Sequence, residues 1–291
     1  MASAADGGGL GPALRRLLRR TEGEAGLPPE TAAKWDALTA SLNALGSVAV
    51  SFSGGVDSTL LLSAAREALG DQCLAVTVCS PFFPAQEAEE AAALCALLGV
   101  QQTVLTLDTL ALPGVAANPP DRCYLCKRAV LGAVCDTAAR RGIPHVAEGS
   151  NADDALDHRP GARAVRELGV RSPLQEVGLT KEEIRALSRA RELPTADKPA
   201  MACLATRFAT GAAITAEDLR RVEAAERYLR ALGLGQLRVR VHGDLARIET
   251  APEAFRSLVE RAPEVDARLR ELGFRYVALD LGGYKMGNMN G

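Results

Sequence analysis

Two short stretches of this sequence carry residue types that can do chemistry. The first is Ser53-Gly54-Gly55-Val56-Asp57-Ser58. Paired glycines let the backbone turn sharply and approach an anion, and the freed N–H groups, with a helix N-terminus behind them, supply partial positive charge. Ser53 and Ser58 add hydroxyl donors, and Asp57 is an oxygen ligand suited to a magnesium ion bridging phosphates. The loop lacks the lysine of a Walker A motif and the spacing of a dinucleotide fingerprint, so neither fits. A tight turn with serine capping is the plain alternative. The second stretch is Arg122-Cys123-Tyr124-Leu125-Cys126-Lys127. A lone C-x-x-C suits a redox pair, half a zinc site, iron–sulfur ligation or none of these. At a helix start, with Arg122, Lys127 and Arg128 alongside, its thiols are expected to favour the thiolate. Cys203 stands far downstream in a separate motif, MACLATRF. Cys73, Cys79, Cys95 and Cys135 fall in or beside apolar strand and helix patterns and read as small buried hydrophobes.

The elements that must position these groups follow from hydrophobic spacing. Residues 47–53 read as a strand running into the glycine pair, with an apolar helix over 59–69 behind it. Residues 73–79, 101–108 and 145–150 read as further strands, and 31–45, 87–98 and 122–141 as helices, with loop over 112–120. Strands alternating with helices of that length imply βαβ units and a parallel sheet. The glycine pair then lies at the first strand-to-helix junction, where open α/β sheets bind ligands. After an Asp-rich loop at 151–161, Thr180 and Glu183 form a capping box that opens another helix. The pattern changes near 194–207. Beyond it come a helix over 215–232, strands over 237–243 and 245–250, a helix over 252–272 and a last strand over 274–281. The expected organisation is a tail over 1–30, an α/β domain over 31–198 and a smaller α+β unit over 199–291.

Composition bounds the function. With 34 Lys+Arg against 36 Asp+Glu, a net charge of −2, 47% hydrophobic and 24% charged residues, this is a soluble globular chain and not a bulk binder of nucleic acid. A local basic cleft is still allowed. No apolar run approaches the roughly 18 residues of a membrane helix, and the first thirty residues lack the apolar core and cleavage site of a secretory leader. Seven cysteines, an odd number, argue against a disulfide framework and for a reducing cytoplasm. His145, His158 and His242 are too scattered for a ligand set.

The hexapeptide SGGVDS resembles the PP-loop of the ATP pyrophosphatases, which cleave ATP to AMP and pyrophosphate. Further motifs follow in order: GSNADD (149–154), HRPG (158–161), SPLQEVGLTKEEIRALS (172–188), LPTADKPAMACLATRF (193–208), RVRVHGDLARIE (238–249) and LDLGGYKMGNMN (279–290). Together they resemble the LarE type of ATP-dependent sulfur transferase. The resemblance implies a Rossmann-like, adenine nucleotide alpha hydrolase-like parallel sheet carrying the PP-loop, with a smaller C-terminal α+β domain for substrate and oligomer contacts. It implies that ATP adenylylates the two carboxylates of a pyridinium mononucleotide, and that a protein-bound sulfur then displaces AMP. The product is the dithio precursor of the nickel-pincer nucleotide, the cofactor of lactate racemase.

Several anionic groups then meet in one site, and cations must offset their repulsion. The resemblance points to Ser53–Ser58, Asn151, Asp153 and Asp154 for ATP and magnesium, and to Lys198, Arg207, Arg238 and Arg240 for the substrate's phosphate or carboxylates. Arg238 and Arg240, two apart on a strand, share a face that a solvated edge would equally explain. Asp153 and Asp154 would also serve as turn or cap residues. Glu223 and Glu226 share a helix face usually left to solvated charge; the family's carboxylate metal site makes Glu226 a candidate ligand. Members with only the cysteine matching Cys203 give up its sulfur and act once. Members that also carry the C-x-x-C pair hold a [4Fe–4S] cluster with one open iron. Cys123, Cys126 and Cys203 match the second kind, although three cysteines by themselves would equally suit zinc. A homo-oligomer, a hexamer, is implied too, and the sulfide donor is not. A PP-loop tRNA thiolase is the competing enzyme, and a nucleotide sensor without turnover the competing binder.

Overall fold

A computed structural model describes residues 26–155, 160–199 and 202–285. Its first half alternates helices and strands: α1 (Pro29–Asn43), β1 (Val48–Ser51), α2 (Val56–Leu69), β2 (Cys73–Cys79), α3 (Ala85–Leu98), β3 (Gln101–Thr106), α4 (Arg122–Arg140) and β4 (Val146–Ala147). The four strands form a parallel sheet in the order β3-β2-β1-β4. Strand alternation sorts its two faces. Val48, Val50 and Ala75 point into a core built with Trp35, Leu38, Leu42, Leu60 and Leu61. Ala49, Leu74, Val76 and Val78 point into a second one with Leu131, Val134 and Ala138 of α4. Covered on both faces, β1 and β2 are apolar except at Ser51 and Thr77, the near-continuous pattern of parallel strands.

Two local differences from the sequence expectation bear on the site. Helix α2 begins at Val56 and not near 59, because the Val56 side chain is buried in the core. Asp57 and Ser58 therefore lie in its first turn. Strand β4 is only two residues long. Beyond it the Glu148 N–H bonds to the Arg171 carbonyl, and the chain swings toward the glycine loop.

The chain continues through α5 (Gly161–Glu167), α6 (Pro173–Glu176) and α7 (Lys181–Ala190). Both reciprocal bonds of the expected capping box at Thr180 and Glu183 are present. Next come α8 (Ala216–Ala231), β5 (Leu237–His242), β6 (Leu245–Thr250), α9 (Phe255–Glu260), α10 (Ala262–Glu271) and β7 (Tyr276–Leu279). The second sheet has the order β5-β6-β7, with β5 antiparallel and β7 parallel to β6. The single helix expected over 252–272 is instead a turn and two helices that break at Arg261 (φ −101°, ψ 12°). Pro263 lacks an N–H and its ring would strike the preceding turn, so it starts a new helix.

The core under the second sheet also takes Phe82 and Val115 from the first half, against Leu204, Phe208, Leu219 and Val239. The Phe82 carbonyl accepts the Leu204 N–H at 2.8 Å. This junction sets where Cys203 sits. No helix among the described residues is long and apolar enough to cross a membrane.

Candidate functional site

The glycine loop leaves the C-terminal end of β1. Gly54 has φ +69°, a left-handed conformation open to glycine at little cost. The Ser53 and Ser58 hydroxyls stand 3.2 Å apart, and Ser58 Oγ donates to the Gly55 carbonyl. Gly149 is needed for close approach: a Cβ there would lie 3.1 Å from the Ser58 nitrogen and 3.3 Å from Asp57 Cβ. The segment Glu148–Asp154 thus folds directly over the start of α2.

Asp57, Asn151 and Asp154 come together. Asn151 Nδ2 donates to Asp57 Oδ1 at 3.2 Å, while its Oδ1 accepts the N–H groups of Asp153 and Asp154. Asp154 in turn accepts the Asn151 N–H. Asp153 turns the other way and caps α7 by accepting the Lys181 N–H at 2.8 Å, which is the cap reading of this residue. Lys181 Nζ forms an ion pair with Asp57 Oδ2. Sequence reasoning passed over Lys181; its signal was its place immediately after the capping residue Thr180.

A cleft of about 1300 Å³ opens at this loop. Ser53, Gly55, Asp57, Ser58 and Asp154 line one part of it, and Cys123, Cys126 and Cys203 another. Between them Lys127 Nζ pairs with Glu148 at 2.9 Å, and Glu148 accepts Ser172 Oγ at 2.6 Å. Burial pushes the Glu148 carboxyl up, but Lys127, Ser150 and Ser172 outweigh it and hold it below the ordinary range. A second cavity of about 520 Å³ shares Ser51, Ser53, Phe83 and Val130 with the first and runs over the end of β2. Glu87 lines it, and burial pushes that carboxyl up to about 7.

All seven cysteines are free. Burial pushes Cys126 up to about 12, which reverses the expected thiolate preference for that thiol, and it raises Cys203 as well. Desolvation outweighs the helix start and the nearby cations. The buried guanidinium of Arg122 ties the two cysteine motifs together. It donates to Cys123 Sγ at 3.4 Å, to the Ala205 carbonyl at 3.0 Å and to Asn118 Oδ1. Among the described residues no three His, Cys, Asp or Glu side chains form a group that could hold a metal ion. Cys73 and Cys95 are buried, and Cys79 and Cys135 are half-buried.

The residues expected at substrate and metal form a different structure. Arg207 is 0% exposed and forms a two-pronged pair with Glu226, both bonds at 2.9 Å. Its third nitrogen holds the carbonyls of Ala202 (2.6 Å) and Cys203 (2.9 Å). Glu226 also accepts from Arg230 and from the Val239 N–H. Four donors fill its four acceptor positions, so in this structure Glu226 serves as the counter-ion of Arg207 and Arg230. Arg240 pairs with Glu249 at 2.9 Å and donates to the Thr206 carbonyl. Arg238 donates to the Leu237 carbonyl and lies 5.2 Å over the Tyr284 ring. Neither arginine is on a solvated edge; both are buried, and neither lines the cleft. Lys198 braces the glycine loop from outside the cleft, through the Gly54 carbonyl (2.9 Å) and Glu90 (2.7 Å). Glu223 accepts the Ala85 N–H at the start of α3. Of the histidines, His158 lies outside the described residues.

The family model of NAD synthase matches residues 34–112, from α1 through β3. An uncharacterized protein of Synechocystis sp. is 42% identical over 83% of this chain and 91% of its own length. An uncharacterized protein of Methanocaldococcus jannaschii is 29% identical over 82% of this chain and 90% of its own. The pyridinium-3,5-bisthiocarboxylic acid mononucleotide synthase of Lactiplantibacillus plantarum is 40% identical over 89% of this chain and 94% of its own. With that identity over nearly the whole length of both, the chain belongs to the family of this synthase, the LarE type of ATP-dependent sulfur transferase.

Proposed function

We propose that the protein adenylylates the carboxylates of pyridinium-3,5-biscarboxylic acid mononucleotide and converts them to thiocarboxylates, on the route to the nickel-pincer nucleotide of lactate racemase. One observation carries the proposal: the glycine loop and all three candidate cysteines line a single cleft. An α-phosphorus held at the loop and a sulfur held at the cysteines would face the same space.

A carboxylate is a poor electrophile, because its charge repels a nucleophile and oxide leaves badly. Attack of a carboxylate oxygen on the α-phosphorus releases pyrophosphate and gives an acyl-adenylate without either defect. A sulfur nucleophile then adds to the acyl carbon, AMP leaves with the former carboxylate oxygen, and the proton on sulfur passes to solvent. Two rounds treat both carboxylates.

In this scheme the backbone N–H groups at 54–58, with the Ser53 and Ser58 hydroxyls, hold the phosphates, and Lys181 sets the orientation of Asp57. Asp57 and Asp154 offer the hard oxygen donors that suit magnesium. The cavity over β2 takes the adenosine end. Cys123, Cys126 and Cys203 supply the three soft thiols that a [4Fe–4S] cluster would need, none in a disulfide and all lining the cleft, although in this structure they are not drawn together as a ligand group. Such a cluster, when bound, supplies an exchangeable sulfide at an iron without a protein ligand. Arg122 offsets negative charge on the cysteines, and Arg207 holds the Cys203 carbonyl. Free thiols throughout suit a reducing cytoplasm, and the family likeness supports a homo-oligomer.

The test is protein isolated without oxygen, reconstituted with iron and sulfide, and supplied with ATP and the mononucleotide. Thiocarboxylate should form with AMP and pyrophosphate, more than once per chain, and Cys123→Ala should lose both bound iron and repeated turnover. Undiminished iron and turnover in that variant would remove the cysteine trio from the scheme. Loss of hydrogen sulfide mass from Cys203 would mean that the cysteine donates its own sulfur. ATP consumption that depends on tRNA and not on the mononucleotide would overturn the substrate.

A further inference from the structure

The glycine loop is held from behind. Lys198 Nζ donates to the Gly54 carbonyl at 2.9 Å and to Glu90 Oε2 at 2.7 Å. In a planar trans peptide the C=O and the following N–H point opposite ways. Lys198 lies outside the cleft, so a Gly54 carbonyl drawn to it turns the Gly55 N–H toward the cleft, which Gly55 lines. Among the described residues that N–H makes no hydrogen bond, and it is open to an anion. The ammonium also polarises the peptide, which makes the N–H at its far end a stronger donor.

With glycine on both sides, this peptide can flip at little steric cost. Packing fixes where Gly54 sits and not which way its peptide faces: a Cβ there would meet Ala91 and Leu94 of α3 at 3.5 Å. The direction is set by the bond from Lys198, and Lys198 is itself fixed at both ends. Its ammonium is oriented by Glu90, the residue before Ala91 on α3. Its carbonyl accepts from Arg185 Nη2 at 2.9 Å, while Arg185 Nη1 takes the Ala196 carbonyl at 2.5 Å. Arg185 stands on α7 four residues after Lys181, which pairs with Asp57. Helix α7 therefore reaches the loop twice, at Asp57 directly and at Gly54 through Lys198. Since Glu90 offsets the Lys198 charge, the lysine acts on the loop by orientation and not by long-range attraction.

We propose that Lys198, held by Glu90, is a positioning residue for ATP: it aims the Gly55 N–H at the phosphates without touching the nucleotide. This inference rests on the ATP-binding role proposed above for the loop. The test is calorimetric titration of the full chain with magnesium–ATP and with adenosine, which has no phosphate to meet the N–H. Lys198→Met should weaken ATP about tenfold, the worth of one hydrogen bond to a charged group, and leave adenosine unchanged. Lys198→Arg keeps a charged donor for the carbonyl and should stay within about threefold of wild type. Glu90→Gln keeps the lysine but loosens its anchor, and should weaken ATP by about threefold. Unchanged ATP affinity in Lys198→Met overturns the inference. So does an equal loss for adenosine, which would mean that the whole cavity is disturbed. A Lys198→Arg variant as weak as Lys198→Met overturns it as well. If Lys198→Met does not fold, Glu90→Gln decides, and unchanged ATP affinity there overturns the inference. Wild type that does not bind ATP fails the sulfur-transferase proposal and this inference together. Wild type that binds ATP, with variants that match it, fails this inference alone.

Discussion

Glu226→Gln tests whether the buried arginine network is structural. The wild-type carboxylate is 0% exposed and accepts two bonds from Arg207 at 2.9 Å, one from Val239 at 3.1 Å and one from Arg230. Glutamine keeps the shape but has a single acceptor oxygen, and its NH₂ must face an N–H of Arg207 or Arg230. The Arg207 charge is left buried without its counter-ion. Removing one member of a buried pair costs about 3–5 kcal/mol. The low end applies because Arg207 keeps the carbonyls of Ala202 and Cys203, so about 3 kcal/mol is expected. At roughly 2–4 °C per kcal/mol for a chain of this size, Tm should fall by roughly 6–12 °C.

Urea unfolding measures the loss. Trp35, the single tryptophan, reports on the first core, and circular dichroism reports on both units, so coincident curves check that they unfold together. The pH dependence has a definite sign. Burial pushes Glu226 up, but Arg207 and Arg230 outweigh it and hold the carboxyl below its ordinary 4.5. Its contribution is therefore complete above the unfolded value and is lost as pH falls through the lower folded value. Wild type and variant should thus differ fully at neutral pH and converge only in acid. Arg207→Met with Glu226→Leu should recover much of the loss, since an apolar pair leaves no buried charge. A loss below about 1 kcal/mol for Glu226→Gln, or a double variant no more stable than the single one, would refute the network's structural role. Loss of a bound divalent ion without loss of stability would restore Glu226 as a metal ligand.

Three further changes probe the loop and its surroundings. Gly149→Ala drives a methyl against the Ser58 nitrogen at 3.1 Å, and backbone cannot give way cheaply. Thermal denaturation should show a loss of about 1–3 kcal/mol, and an unchanged Tm would mean that the two segments are free to separate. Lys181→Met removes the ammonium paired with Asp57 but keeps the stem. For this part-exposed pair, stability should move by less than about 1 kcal/mol, while the KM for ATP rises about tenfold, near 1.4 kcal/mol; an unchanged KM detaches Lys181 from nucleotide binding. Glu87→Gln tests the carboxyl that burial pushes up to about 7. The folded chain binds this proton more tightly than the unfolded one, so wild-type stability falls as pH rises from about 4.5 to 7. The variant should gain on wild type across that window, by up to about 3 kcal/mol above it, and parallel stability curves would show that Glu87 is solvated.

What the sequence made legible was local, and what it hid was the identity of distant partners. Continuous apolar runs sufficed for β1 and β2, whose two faces meet separate cores, and the Thr180 box lies within four residues. Pro263 was equally readable as a helix break, yet the apolar spacing across it suggested one helix. The charged residues are a different case. Two arginines two apart on a strand must share a side, and Arg238 and Arg240 do. But Arg240 pairs with Glu249, which stands opposite Arg238 in the strand register, a diagonal set by how β5 and β6 align. Arg207 pairs with Glu226 across a turn-to-helix contact, and Lys181 reaches Asp57 over 124 positions. A motif arginine reads as a substrate ligand until its carboxylate is found, and one sequence does not show that carboxylate. The near balance of 34 cations and 36 carboxylates was read only as excluding a polyanion partner. In the fold, Arg207, Arg230, Arg240 and Arg247 are all paired with Glu226 or Glu249. These pairings, and not the overall charge balance, decide which cations the fold leaves facing the cleft.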